Sequence, residues 1–226
     1  AANIALMRSL PDTSGFVGIN IASQVFVASN LSELRLLDRA GDYERALTLV
    51  PAVLEGMEEM GDRLHKEKEL EFHYAMALVH FGAGQVNKAL FWLNKVLNDN
   101  EPNLRQDIFT YARLFNLVVH HELGNYDLLE YIVRSTQRYL SKRQRAHQVE
   151  NTLIDHIKRL ARAQDPAMKR DLFRSLHHEL GKLLKDPNEG LVLKYFNVMA
   201  WVEAHLDGVS YAEVVRRTLK VGKGKA

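Results

Sequence analysis

Apolar residues along this chain recur at intervals of three and four, the period of a helix that buries one face. From Leu70 the spacing runs through Tyr74, Ala77, Leu78 and Phe81, and a second stripe runs through Leu104, Ile108, Tyr111, Ala112, Phe115 and Val119. Neither stripe alternates as a strand would. The pattern predicts helices at about 17–28, 31–40, 43–60, 64–83, 86–98, 104–123, 126–140, 147–163, 167–185, 189–206 and 210–220. Breaks fall at 11–15, at 98–103, at Asp165-Pro166, at Asp186-Pro187-Asn188 and at Asp207-Gly208. Asp and Asn favour the position that caps a helix, and Pro is tolerated in its first turn. The predicted fold class is all-α.

Three segments align with one another. They are Ala40-Gly41-Asp42-Tyr43-Glu44-Arg45-Ala46-Leu47, Ala83-Gly84-Gln85-Val86-Asn87-Lys88-Ala89-Leu90 and Leu123-Gly124-Asn125-Tyr126-Asp127-Leu128-Leu129-Glu130. Each puts Gly where one helix stops, a polar residue at the start of the next, then an apolar residue, then a small or apolar one three positions on. Glycine takes the left-handed conformation that ends a helix. A small residue lets two antiparallel helices approach closely. The glycines stand 43 and 40 residues apart.

These junctions resemble the tetratricopeptide repeat family, and the stretch from Tyr195 to Trp201 resembles the C-terminal helix of bacterial members. Gly41 to Leu47 matches the turn between the two helices of such a repeat, with Gly84 to Leu90 a close second. His73, Met76, Ala77 and His80 stand where the family has Trp, Leu, Gly or Ala, and Tyr, while Leu93 and Val96 fit the second helix. The third unit keeps Gly124, Tyr126 and Val133 but has Leu129 where Ala is usual. The spacing exceeds the family's period of about 34 residues, which implies helices longer by about a turn. The resemblance spans residues 31–140 and implies an antiparallel helix-hairpin array, a tetratricopeptide-like α-α superhelix with a concave groove for a peptide or helix. Residues 1–30 read as an N-terminal helical segment, 141–220 as helices continuing the array, and 221–226 as a flexible basic tail. The chain opens on Ala and at once enters the apolar Ile4, Ala5, Leu6 and Met7, which suggests that an earlier part of the array precedes it.

The family's specialised groove clamps carboxylates with Lys and Asn. The matching positions here are Tyr74, Leu78, Leu114 and Val118, so that clamp is missing. Tyr74, Leu78, Phe81, Leu114, Val118 and His121 then have two readings: an open apolar groove for an amphipathic partner, or core closed over by neighbouring helices.

Ten His residues invite a metal reading, and His-His-Glu-Leu-Gly occurs twice, at 120–124 and 177–181. A zinc-protease helix needs its second His four residues after the first. Asn125 and Lys182 do not meet that spacing with His121 and His178. A distant assembly such as His73 with His80 and His121 stays open, but the expectation is no metal and no cofactor.

Charge changes the picture more than its sum suggests. The net is +2, yet residues 1–113 carry −4 and residues 114–226 carry +6. Arg134, Arg138, Lys142 and Arg145 share one helix face. Such a stripe holds phosphates or an acidic protein segment, or it is a solvated face paired with acidic neighbours. Aromatic interleaving for base stacking is limited to Tyr139.

Zero Cys among 226 residues excludes disulfides and thiol catalysis. No phosphate-binding loop, nucleophile elbow or dinucleotide fingerprint is present. No apolar run reaches the roughly 18–20 residues of a membrane span. The expected function is a non-enzymatic, cytoplasmic protein-binding scaffold, with nucleic-acid or polyanion binding through 134–170 as the alternative.

Overall fold

Gly41, Gly84 and Gly124 adopt φ of +67°, +74° and +69°, and each ends a helix. In all three, the residue after Gly donates its N–H to the carbonyl five positions back: Asp42 to Leu37, Gln85 to His80, and Asn125 to His120. This bond satisfies a carbonyl that the ending helix would leave open. Three turns of one local design thus divide the first part of the chain.

The structure, a computed structural model, describes residues 2–12, 19–142 and 147–223. Its regular elements are α1 (Ala2–Ser9), α2 (Ile19–Ala40), α3 (Tyr43–Met60), α4 (Lys66–Gly82), α5 (Val86–Leu97), α6 (Gln106–Glu122), α7 (Tyr126–Lys142), α8 (Gln148–Arg162), α9 (Pro166–Leu183), α10 (Val198–Asp207) and α11 (Tyr211–Lys223). Short 3-10 turns lie at Leu10–Asp12, Gly61–Arg63 and Glu189–Lys194. There is no strand among the described residues. No helix among them is long and apolar enough to cross a membrane.

Two expected boundaries differ. A single helix, α2, replaces the pair expected at 17–28 and 31–40, because Asn30 bonds the Phe26 carbonyl at 2.8 Å and accepts from Arg8 at 3.1 Å without interrupting the backbone. The helix expected at 189–206 is split. Glu189 turns back to accept the N–H groups of Gln148 and Val149 at 3.0 and 2.8 Å, capping α8, while Asn197 caps α10 through Ala200 N–H. At the C-terminus, α11 runs through Lys223, and residues 224–226 lie outside the described residues.

Consecutive helices pack in pairs: α2 on α3, α4 on α5, α6 on α7, α8 on α9 and α10 on α11. Along one side α2 touches α4, α4 touches α6, and α6 touches α8. Further on, α9 packs on α10 and α11 returns to α2. One continuous core runs from Leu31 to Val202 and includes Phe72, Met76, Leu93, Phe109, Phe115 and Leu117, all with negligible exposure. Each such side chain contributes roughly 1.5–3 kcal/mol by leaving water. Close helix approach is written into Gly82, where a Cβ would lie 2.2 Å from the ring of Tyr43.

Candidate functional site

The residues expected to line a groove lie on α4 and α6. Tyr74, Phe81, Leu114, Val118 and His121 are buried and Leu78 is half-buried. The surface over Tyr74 and Phe81 is filled by the chain's own residues 195–216. Tyr74 donates its hydroxyl to the Tyr195 carbonyl at 3.3 Å. Phe81 meets Phe196 and Tyr211 edge to face at 5.6 and 5.3 Å, and Phe115 lies 4.7 Å from Phe196. Arg216 donates to the carbonyl of Gly41 at 3.4 Å. Tyr74 and Phe81 are thus covered by a segment that no local pattern could assign to this place, Leu114 and Val118 lie in the core, and Leu78 stays half-buried.

The rim of this seam is polar and internally paired. Buried Glu71 is surrounded by Arg35, Lys68 and Arg105. Burial works to raise its pKa, but these cations prevail and hold it below the usual carboxylate range. Burial likewise opposes ionisation of Asp107, yet hydrogen bonds from Arg105 and the Tyr195 hydroxyl bring it down to about 2. Tyr195 also stacks on Tyr111 at 4.1 Å. These charges satisfy one another and fasten the closing segment to α6. Nearby, burial raises Glu150 to about 7; its carboxylate accepts the His147 N–H at the start of α8.

The basic stripe has a different setting. On α7, Leu129, Val133, Thr136 and Leu140 face inward. On the outer face Leu128, Tyr131, Arg134, Arg138 and Lys142 follow one another at helical spacing, all exposed, with Leu128 54% and Tyr131 66% accessible. No carboxylate among the described residues pairs with Arg134, Arg138 or Lys142, whereas Arg162 on α8 pairs with Glu130 at 3.1 Å. The fourth residue of the expected stripe, Arg145, lies outside the described residues. Sequence reasoning found the cations but missed Leu128 and Tyr131, which read as ordinary apolar positions until α7 is docked.

The histidines separate. His73 stacks on Trp92 at 5.5 Å, and His80 bonds Gln85 at 3.0 Å. Burial lowers the pKa of both, of His73 to about 4. His121 does not join them; it meets Glu122 and His205. Burial would raise the pKa of Glu122, but hydrogen bonds from His121, His205 and Trp201 prevail and hold it far below the carboxylate range. The second His-His-Glu-Leu-Gly stands within α9, with His177 3.5 Å from Glu203 and His178 exposed.

No protein-family model, no curated protein and no solved structure matches the chain.

Proposed function

We propose that the chain is a non-enzymatic, tetratricopeptide-like helical module of the cytoplasm that binds an acidic amphipathic protein segment on the outer face of α7. One observation carries this reading: three exposed cations that pair with no carboxylate among the described residues, Arg134, Arg138 and Lys142, continue a line begun by two exposed apolar side chains, Leu128 and Tyr131. A solvated structural face would ordinarily mix charges that pair along the helix. A run of cations beside exposed Leu128 and Tyr131 complements a helix carrying Leu and Glu on one side. The concave groove, the usual binding surface of the resembled family, is taken by the chain's own C-terminal segment, so the partner is sought outside it.

The test is fluorescence anisotropy with a labelled acidic amphipathic peptide and, in parallel, a labelled single-stranded RNA. The peptide is expected to bind, and both Arg134→Glu/Arg138→Glu/Lys142→Glu and Leu128→Ser/Tyr131→Ser should weaken it by about tenfold or more. RNA binding with a steep salt dependence, lost on charge reversal but indifferent to Leu128 and Tyr131, would replace the protein reading by a polyanion one. Absence of binding to either probe ends the proposal.

A further inference from the structure

The side chains of His121 and Glu122, at the last turn of α6, converge with His205, near the last turn of α10. His121 Nδ1 lies 3.3 Å and His205 Nε2 lies 2.7 Å from the same Glu122 oxygen, Oε1. Ligand atoms of all three lie within 4.8 Å of one another, and among the described residues this is the group of His, Asp and Glu side chains gathered so closely. We propose that His121, Glu122 and His205 form a binding site for a divalent transition metal of the zinc type, with a fourth coordination position open to solvent.

Donor chemistry, geometry and surroundings support this assignment. Two imidazoles and one carboxylate are a donor set that suits zinc, and three protein ligands plus an open position are the plan of an accessible zinc site. Adjacent ligand atoms around a tetrahedral ion bound at about 2.0–2.1 Å stand about 3.3 Å apart. The His121–Glu122 separation already has that value, His205 would withdraw from Glu122 by about 0.6 Å, and the two imidazole nitrogens, within 4.8 Å of each other, would close to the same spacing on binding.

The rings are held in place before any ion arrives. His205 stacks on Phe173 at 4.2 Å and 12°, and His121 packs edge to face on Phe173 and Trp201 at 5.9 and 5.7 Å. Trp201 donates its indole N–H to Glu122 Oε1 at 2.8 Å, the outer hydrogen bond that orients a ligating carboxylate.

Two helix C-termini meet here, and their partial negative charge favours a cation. Glu122 and His205 also line a cavity of about 570 Å³ together with Tyr43, Gln85, Tyr211 and Arg216, which supplies access and room for a fourth ligand.

A metal here joins α6 to α10, residues 83 positions apart, and so clamps the closing segment in place. The experiment uses the full chain after chelator treatment. Co²⁺ titration should develop the visible d–d absorption of a tetrahedral site at one ion per chain, and Zn²⁺ should displace it. In a Trp92→Phe background, Co²⁺ should quench the fluorescence of Trp201. His205→Ala and Glu122→Gln should each weaken binding about 100-fold, while His178→Ala, which alters the repeated motif outside the cluster, should leave it unchanged. Far-UV circular dichroism checks that the variants fold. Should His205→Ala lose its helical signal, Glu122→Gln, which keeps a hydrogen-bond acceptor for Trp201, decides the question. No saturable one-to-one binding, binding that survives Glu122→Gln, or binding abolished by His178→Ala overturns the site.

Discussion

The first three helix pairs and the C-terminal part of the molecule solve the same packing problem by different means. From α2 to α7 each pair turns on a left-handed glycine with one repeated pattern of backbone hydrogen bonds. From α8 onward the devices vary. Asp165 caps α9 with Pro166 in the first turn, Glu189 reaches back to cap α8, and only the α10–α11 turn uses a left-handed glycine, Gly208. The first region is built from local rules and leaves an apolar side exposed to whatever follows. The second region supplies aromatic side chains, Tyr195, Phe196, Trp201 and Tyr211, that finish that side. Hairpins are thus specified locally, and closure is specified by partners far apart in sequence.

Breaking the seam is expected to cost the most. Phe81→Ala removes a ring packed against Phe115, Phe196 and Tyr211, and should lower stability by about 3–5 kcal/mol in urea unfolding. Phe196→Ala, from the other side of the same seam, should cost a similar amount. If closure were incidental, Phe196→Ala would cost far less than Phe81→Ala.

Acidification probes the first region. His73 is buried neutral, with its pKa lowered from 6.5 to about 4. Below 6.5 the unfolded chain takes up a proton that the folded chain refuses, so stability is lost as pH falls from 6.5 towards about 4, by about 2–3 kcal/mol. His80 and His120, also lowered, act with the same sign. Thermal melts of His73→Gln should show a shallower loss over that window. Glu150 has the opposite sign. Its folded pKa is raised from 4.5 to about 7, so its contribution is present at low pH and fades as pH rises through about 7. Glu150→Gln should therefore gain stability relative to the parent above pH 7, measured by the same melts.

The glycines sharpen the comparison at smaller scale. Gly124→Ala faces no atom within 4 Å, so it pays only for its left-handed backbone at φ +69°, about 1 kcal/mol. Gly41→Ala has nearly the same φ, +67°, but its Cβ would lie 2.8 Å from Arg216 Cγ and 3.0 Å from the Ala212 carbonyl. It should cost about 2 kcal/mol or more, and the excess over Gly124→Ala measures the α2–α11 contact. Smallest of all, Arg134→Glu, Arg138→Glu and Lys142→Glu should each change stability by less than about 0.5 kcal/mol, since these side chains are exposed and pair with no carboxylate among the described residues.

Much of this was readable before folding. The helices from α3 to α9 start and stop within a few residues of their predicted limits, because apolar period, capping residues and left-handed glycines act over a few positions. The cations of α7 were also legible, since three- and four-residue spacing fixes a helix face. The segment 189–206 was not, because the break before α10 depends on Glu189 finding the start of α8, some 40 residues away. The metal-ligand group was invisible for the same reason. His121 and Glu122 stood in a motif that fails as a zinc-protease helix, and His205 showed its relation to them only once α10 was docked.

The twice-repeated pentapeptide marks the division. At 120–124 His-His-Glu-Leu-Gly ends α6 on a left-handed glycine, whereas at 177–181 the same five residues continue through α9. The residues that follow explain the difference: Asn125 begins a new cap, while Lys182-Leu183-Leu184 prolongs the apolar period towards the core. By itself the sequence determined an all-helical chain, its glycine turns and the charge of α7, since these arise from backbone preference and local spacing. Only the tertiary structure decided that residues 195–216 would cover Tyr74 and Phe81 and that two histidines would share one carboxylate, because those outcomes depend on which distant side chains the packing of the helices brings together.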